Sequence, residues 1–225
     1  MKREDFLKRV RDAASQGRAY RVHPTAYAET AGYVGAGDDP PAKLAAEVNA
    51  VGGFAFIVEG YEQARHKAAE LLDKHVPQRA LCWEHPVLEK LGLAALLSDR
   101  NVEHWHYGRL ASLTTEEQRA AMLGVDVCIS SVSYAIAETG TLAVMSQPGQ
   151  ERGGSLLGPV HLAVVETSQI LPDLFDLFEK LGQRKEGMPS NLTLITGPSK
   201  TGDIELELTT GVHGPGVWYV LIIKV

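Results

Sequence analysis

Cysteine is scarce in this sequence, which contains only Cys82 and Cys128. Two thiols cannot build a disulfide framework, and they fall short of the four thiolates that usually hold an iron–sulfur cluster. The sequence also lacks a cluster of residues with the spacing of metal ligands. We therefore expect the chain to bind no metal and no redox cofactor by itself.

An excess of positive charge and long apolar runs are absent as well. Lys and Arg number 22 against 28 Asp and Glu, so the net charge is -6 and there is no basic footprint for nucleic acid. No apolar run reaches the ~18 residues that indicate a membrane-spanning helix. The first residues, Met1 to Asp5, lack the apolar core of a signal peptide. We expect a cytoplasmic protein that binds neither membranes nor nucleic acids.

The phosphate-binding fingerprints of nucleotide enzymes are missing too. The sequence has no G-x-G-x-x-G string of the kind that dinucleotide binding requires, which disfavours a self-sufficient oxidoreductase. Gly197, Lys200 and Thr201 resemble part of a P-loop, but their spacing is wrong, and Pro198 removes an N–H donor. This segment is therefore not a P-loop.

From residue 54 onward, the sequence alternates between apolar strand-like segments and amphipathic helix-like segments. Such alternation is typical of an α/β fold, in which helices pack on a mainly parallel sheet. The nearly unbroken apolar run over 217–225 predicts an interior strand. Helices are predicted over 3–15 and 40–51, so we expect a helical region, residues 1–49, packed on a main domain, residues 50–225.

Local signals predict where some of these elements begin and end. Thr114 and Glu117 have the spacing of a capping box, which predicts a helix start at Thr114. An amphipathic pattern predicts a helix over 168–181 that ends at Gly182. The β-branched and aliphatic residues of 192–196 predict a buried strand.

His104 and His106 stand two positions apart on a predicted strand. Strand alternation therefore puts both imidazoles on one face of the sheet, a spacing that metals can use. The sequence offers no clear third ligand beside them. We favour a partly buried strand with two ordinary histidines.

Glu138 is the candidate catalytic residue, because it lies between an apolar stretch and a turn formed by Thr139, Gly140 and Thr141. Partial desolvation there would raise its pKa and suit it to nucleophilic or acid–base chemistry. Alternatively, Glu138 accepts hydrogen bonds from neighbouring N–H and hydroxyl groups and only fixes the turn. The sequence leaves both interpretations open.

The segment after the predicted strand 192–196 is dense in polar groups. Small residues there let backbone N–H groups approach a ligand, and Lys200 supplies a positive charge. Since open α/β sheets bind ligands in loops at the carboxyl ends of strands, we predict an anion site. A turn that merely caps a following helix is the alternative. The candidate binding residues are Gly197, Ser199, Lys200, Thr201, Asp203 and Glu205.

Two further loops carry candidate residues. Arg152 offers a planar fork of donors that can clamp an anion, although most loop arginines are simply solvated. His213 stands in a glycine-rich loop, where a ligand can reach it if the loop faces the cleft. We expect Glu138, Arg152, Lys200 and His213 to surround one cleft.

In their order along the chain, several segments resemble the lactate-utilisation protein C family, also called LutC, YkgG or LUD-domain proteins. The resemblance covers roughly residues 50–225. It adds Thr139, Gly140, Thr141, His161 and Gly214 to the expected ligand-binding residues. The segments that carry it are 137–141, Arg152 with 159–161, 196–205 and 211–215.

This resemblance implies a fold and a pathway. The fold is the three-layer α/β/α domain with a mainly parallel sheet that is shared by glucosamine-6-phosphate deaminase, ribose-5-phosphate isomerase and CoA transferases (NagB/RpiA/CoA-transferase-like). The pathway is the oxidation of L-lactate to pyruvate, alongside an iron–sulfur partner and a cysteine-rich subunit. The shortage of cysteines agrees with clusters that lie in those partners.

Two functional hypotheses follow. In the first, the chain is an assisting subunit of a lactate-oxidising system. In the second, it is an enzyme or binding protein for an anionic small molecule, such as a phosphosugar, a folate or a CoA ester, and uses Glu138 and the loop that carries Lys200. The Glu-Thr-Gly-Thr turn and the lysine keep this second hypothesis open.

Overall fold

The main sheet is built around the apolar C-terminal strand that the sequence predicts. The computed structural model of the protein describes residues 3–18, 35–202 and 208–225. Six parallel strands form this sheet: β1 (Phe54–Glu59), β2 (Arg79–Cys82), β3 (Glu103–Trp105), β4 (Val127–Ser130), β7 (Val160–Glu166) and β12 (Val217–Lys224). Their order is β1-β12-β7-β4-β2-β3. Residues Trp218 to Ile223 of β12 are at most 2% exposed, as expected for a parallel strand covered on both faces.

Helices cover both faces of this sheet. Trp218 and Tyr219 alternate along β12, so they point to opposite faces. The Trp218 face is covered by α2, α6 and α7, and the Tyr219 face by α3, α4 and α5. These helices are α2 (Pro40–Ala50), α3 (Gly60–His75), α4 (Pro86–Leu91), α5 (Leu93–Ser98), α6 (Tyr107–Leu110) and α7 (Thr115–Leu123). The predicted α/β fold with a mainly parallel sheet and flanking helices is confirmed.

A second sheet of four strands comes from the second half of the chain. Its strands are β5 (Tyr134–Ile136), β6 (Thr141–Met145), β8 (Ile170–Leu171) and β9 (Leu192–Ile195), in the order β8-β5-β6-β9. Helix α8 (Leu174–Gly182) packs on it through Leu177 and Leu181. A small hairpin, β10 (Lys200–Gly202) and β11 (Leu208–Thr210), follows β9.

Two of the predicted elements differ in the structure. The segment 192–196 was expected to be a buried strand, but β9 is the edge strand of the second sheet, and Leu194 is 42% exposed. The helix expected over 168–181 starts only at Leu174, because Thr167–Gln169 forms a 3-10 turn and β8 pairs with β5. The capping box at Thr114 and Glu117 is present as predicted.

The N-terminal helix α1 (Arg3–Arg18) belongs to a separate compact unit, Met1–Tyr33. Its apolar residues Phe6, Leu7 and Val10 are 50%, 38% and 50% exposed. Every other element lies in the second unit, Val34–Val225. Within the described residues, no helix combines the length and apolarity that a membrane crossing requires. The division into residues 1–49 and 50–225 stays a prediction.

Candidate functional site

A cavity of about 250 Å³ lies between the main sheet and the edge strand of the second sheet. Its wall on the main sheet is formed by His161 of β7 and Trp218 of β12, and its opposite wall by residues of β9 and the following loop. The lining residues are Ser155, Leu156, His161, 193–199, 213–215 and Trp218. A cavity of this size can hold a small organic acid.

His161 and Trp218 are direct neighbours across the parallel pair β7–β12, so their side chains share one face of the sheet. They are 0% and 1% exposed. His161 Nδ1 and Trp218 Nε1 are both buried, and neither has a hydrogen-bond partner among the described residues. Since buried polar atoms are almost always paired in native proteins, two unpaired nitrogens beside one cavity are suited to hydrogen-bond a ligand or a water.

Ser130 determines which nitrogen of His161 carries the proton. Its Oγ lies 2.8 Å from His161 Nε2, and no other hydrogen bond of this hydroxyl is found within the described part of the chain. We assign the hydroxyl as the donor to Nε2, because this gives its proton an acceptor, and in that tautomer the ring hydrogen is on Nδ1. Burial lowers the pKa of His161 to about 4, so the ring is neutral near pH 7. His161 Nδ1 and Trp218 Nε1 thus provide two N–H donors.

The loop after β9 is fixed against the end of helix α2. Gly197 has a φ of +98°, and a Cβ atom at this position would lie 3.0 Å from the carbonyl oxygen of Val51. The ammonium group of Lys200 donates a hydrogen bond of 2.7 Å to the same carbonyl. Lys200 itself is exposed and does not line the cavity, whereas Gly197 and Ser199 do.

The Glu-Thr-Gly-Thr turn also contacts α2. The Glu138 carboxylate accepts a hydrogen bond of 3.3 Å from the backbone N–H of Gly35, and the Glu138 N–H donates to Pro172 at 3.0 Å. The Thr141 hydroxyl bonds to the hydroxyls of Thr139 and Thr196 at 2.7 and 2.8 Å. Through Thr196, this turn is linked to the cavity wall.

The structure brings together some of the residues that the sequence predicts and separates others. Arg152 is exposed and begins a 3-10 turn, Arg152–Ser155, whose last residue lines the cavity. Thr201 lies in β10, while Asp203 and Glu205 fall outside the described residues. The predicted binding residues that line the cavity are His161, Gly197, Ser199, His213 and Gly214.

Sequence reasoning missed Ser130 and Trp218. Trp218 lies in the predicted interior strand 217–225, where an aromatic residue indicates only the core, and no motif of the sequence contains Ser130. Their role depends on the register that pairs Trp218 with His161 and on the contact between Ser130 and His161, and both are tertiary facts. One feature of the sequence could have pointed to Trp218 as a site residue: it lies two positions after the glycine-rich loop that carries His213 and ends at Gly216.

The chemistry of this cavity is hydrogen-bond donation to oxygen. Trp218 Nε1 can only donate, and His161 Nδ1 donates in the tautomer that Ser130 selects. Carboxylate, keto and hydroxyl oxygens are the complementary groups. Within the described chain, no group of three or more His, Cys, Asp or Glu residues is placed to hold a metal ion. The fold and the cavity together define an α/β protein with a small cavity whose wall carries buried ring nitrogens.

Comparison with known proteins identifies the family. The LUD domain model matches residues 42–223, and the chain therefore belongs to the LUD-domain family. A solved relative in fold is a DUF162 family protein from Deinococcus radiodurans, with a TM-score of 0.58 over 82% of this chain and 96% of that one. Its sequence is 20% identical, so this likeness shows a shared fold alone.

Curated relatives cover part of the chain at higher identity. "Lactate utilization protein C" of Halalkalibacterium halodurans is 30% identical over 148 residues, which span 64% of this chain and 62% of the relative. "Uncharacterized protein YkgG" of Escherichia coli is 35% identical over 141 residues, which span 61% and 59%. The match thus extends over about three fifths of the length of these relatives.

Proposed function

We propose that this protein is a subunit of a lactate-utilisation system and that it binds a small carboxylate in the cavity formed by His161 and Trp218. Membership of the LUD-domain family and the name "Lactate utilization protein C" of several relatives support the pathway. The pair of buried, unpaired ring nitrogens supports the ligand class and is the observation that carries the proposal.

The size and polarity of the cavity suit L-lactate or pyruvate. Each has a carboxylate and a second oxygen, and together these can accept hydrogen bonds from His161 Nδ1 and Trp218 Nε1. Uncharged N–H donors in a buried site stabilise an anion without the cost of burying a positive charge. His213 is an exposed lining residue, and Arg152 is exposed at the start of the turn that ends at the lining residue Ser155. We propose that these two side chains contact or attract the incoming anion.

We propose that the oxidation itself requires partner proteins in the cytoplasm. Removing two electrons from lactate needs an acceptor, and the two cysteines of this chain cannot hold a four-thiolate cluster. Iron–sulfur and cysteine-rich subunits would therefore carry the electrons. In this proposal Glu138, Thr139, Gly140, Thr141 and Lys200 keep α2 and the loop after β9 in place and thereby hold the cavity open.

The test is titration of the protein with L-lactate and with pyruvate by calorimetry. Trp218→Phe removes one donor and keeps an aromatic ring, so it should weaken binding by about tenfold, the usual effect of losing a buried hydrogen bond. Trp105→Phe is the matched control, because Trp105 Nε1 is also buried and unpaired but does not line the cavity. It should leave the affinity unchanged.

Equal affinities of wild type and Trp218→Phe for both acids would contradict this binding site. Loss of affinity in Trp105→Phe would show that the effect is indirect. The pathway is tested separately, by measuring lactate oxidation in the assembled system with and without this chain. An unchanged rate without it would contradict the proposed role in lactate utilisation.

A further inference from the structure

A larger cavity, of about 370 Å³, lies on the opposite face of the main sheet from the His161 cavity. His161 is paired with Cys128, and Cys128 with Leu81, so these three side chains share one face. Cys82 is the next residue along β2 and points to the other face, where it lines the larger cavity. The two cavities are therefore separate sites.

This cavity lies at the edge of the main sheet where the parallel strands end, the edge at which open α/β sheets bind ligands. It lies beyond the carboxyl ends of β2 and β3. After β2 the chain continues to β3 on one side, whereas after β4, the other neighbour of β2, it continues through the second sheet to β7 on the opposite side. The reversal of direction thus lies between β2 and β4, next to the β2–β3 pair that borders the cavity.

The floor of the cavity is apolar and its rim is polar. Leu88, Leu93 and Leu97 lie beneath the cavity and are 2%, 4% and 0% exposed, while Ala94 is exposed in its wall. Glu84 and Glu89 lie on the rim with three imidazoles. A wide apolar floor with a few polar groups is the usual composition of a small-molecule site.

Two carboxylates, Glu84 and Glu89, line this cavity, and the imidazole of His106 lies against Glu84. Glu84 is held by His106 Nδ1 at 2.7 Å and by the N–H of Gly108 at 3.1 Å, and the bond from His106 holds the pKa of the Glu84 carboxyl below its usual value. Burial lowers the pKa of His85 and His104, which keeps both rings neutral near pH 7. Among the described residues, no Lys or Arg lines the cavity.

The nearest cations are bound elsewhere. Arg109 pairs with Glu103 at 2.8 Å and stacks over the Trp105 ring at 3.7 Å. Lys90, which follows Glu89, pairs with Glu166 at 2.9 Å. Glu84 is paired with the imidazole of His106 at 2.7 Å, whereas Glu89 therefore has no Lys or Arg beside it in the lining. An anion would be repelled, whereas a cation would be attracted.

We propose that this cavity binds a small molecule with a flat apolar body and a cationic nitrogen group. The body packs on Ala94 and on the exposed edges of Leu88 and Leu93, and the nitrogen group donates hydrogen bonds chiefly to Glu89. The preference for positive charge is the reverse of the preference proposed for the His161 cavity. This inference does not depend on the proposed role in lactate utilisation.

The experiment compares three probes of one shape, benzamidine, benzamide and benzoate, by ligand-observed NMR and calorimetry at pH 7.5. Benzamidine should bind with a Kd on the order of 1 mM, a realistic affinity for so small a molecule. Benzamide should bind more weakly, and benzoate at least about tenfold more weakly, since its charge opposes the two carboxylates. Benzoate binding equal to that of benzamidine, and lost in Ala94→Trp, would overturn the proposal.

Substitutions in α5 locate the binding. Ala94 lines the cavity and is exposed, so Ala94→Trp can fill the space without disturbing the core. Its neighbour Ala95 is also exposed but does not line the cavity, which makes Ala95→Trp the matched control. Benzamidine binding should be lost in Ala94→Trp and kept in Ala95→Trp. Unchanged binding in Ala94→Trp, with its melting temperature intact, would contradict the site.

The substitution Glu89→Gln tests the charge without filling the cavity. It should weaken benzamidine binding about threefold, the usual effect of a partly exposed ion pair, and leave benzamide binding unchanged. Glu116→Gln, an exposed position on α7, is the control for the change in net charge. Equal benzamidine affinity in Glu89→Gln and wild type would contradict the ionic contact, whatever the result for Ala94→Trp.

Discussion

His161 is the single residue whose ionisation bears most directly on the stability of the site. It is fully buried, and burial lowers its pKa from the ordinary value of 6.5 to about 4. Between these two values the unfolded chain binds a proton that folded His161 does not bind. The free energy of unfolding therefore falls as the pH drops from about 6.5 to about 4, by about 3 kcal/mol in total.

Urea unfolding of wild type and His161→Gln at pH 7 and near pH 4 checks this expectation. His75, His85 and His104 also have lowered pKa values and titrate in both proteins, so only the difference between the two proteins reports on His161. His161→Gln should be less stable at pH 7 but should lose less stability on acidification. Parallel losses in the two proteins would show that His161 does not control this pH dependence.

Val76 holds an unfavourable backbone conformation at the end of α3. Its φ is +46° and its ψ is +51°, in the left-handed region that a β-branched residue rarely adopts. The side chain is 76% exposed and contributes little burial, while the backbone N–H bonds to Leu72 at 2.8 Å. Glycine adopts this conformation without strain and is the usual residue at such a helix end.

Val76→Gly should therefore raise the free energy of unfolding by about 1 kcal/mol, since the relief of strain exceeds the extra entropy of glycine in the unfolded chain. Thermal unfolding measures the gain as an increase in melting temperature of about 2–4 °C. Val76→Ala is the control, because alanine keeps the Cβ atom that causes the strain. A glycine variant no more stable than the alanine variant would contradict this interpretation.

At the scale of elements, the outer edge of β1 is protected by two side-chain amides. Among the described strands, β1 pairs only with β12, so its other edge is free. The outward N–H groups of Ala55 and Glu59 donate to the side chains of Asn49 and Gln63, at 2.9 and 3.0 Å. Phe54 and Ile57 are partly exposed on this strand, and such an edge would otherwise invite pairing with a second chain.

Replacing both amides, as Asn49→Ala together with Gln63→Ala, should leave two edge donors unpaired and promote self-association. Sedimentation velocity over a range of protein concentrations measures this directly. Glu62→Ala is a suitable control, because Glu62 is exposed on the same helix as Gln63 and the described contacts of β1 do not include it. A double variant with the same sedimentation coefficient as wild type at every concentration would refute the protective role.

How far the sequence predicts an element depends on whether its signal is local. The start of α7 is predicted correctly, because the capping box of Thr114 and Glu117 acts within one turn. The start of α8 is predicted wrongly, since residues 170–171 pair with β5, far away in the sequence. The edge position of β9 likewise depends on its pairing with β6. Pairing partners in sheets are tertiary choices that local patterns do not encode.

In the candidate site, too, the local features are predictable from the sequence and the tertiary pairings are not. The glycine-rich and charged segments that contain Gly197, Ser199 and His213 are recognisable by composition, and the structure brings them to one cavity. The donors of the cavity, however, belong to His161 and Trp218, whose pairing across β7 and β12 decides that they meet. Lys200 is the residue type expected to bind an anion, yet its ammonium group donates a hydrogen bond to the carbonyl oxygen of Val51.

At the scale of the whole molecule, α2 joins the two sheets. It packs on β1 and β12 of the main sheet and on β8 of the second sheet. The turn that precedes β6 approaches the helix so closely that a Cβ atom on Gly140 would lie 2.7 Å from the backbone carbon of Glu47 and from the backbone nitrogen of Val48. Gly140 also has a φ of +63°. A side chain there would both strain the turn and push it away from the helix.

Gly140→Ala should therefore lower the free energy of unfolding by about 3 kcal/mol or more, from the clash and the strained backbone combined. Because α2 contacts both sheets, we expect one cooperative transition: tryptophan fluorescence, which reports on the main sheet through Trp218, should shift together with far-UV circular dichroism. Gly182→Ala is the matched control, since a Cβ atom there meets nothing within 4 Å, and it should change stability by less than about 0.5 kcal/mol. If Gly140→Ala shifted only one of the two signals, the sheets would unfold separately and α2 would not couple them.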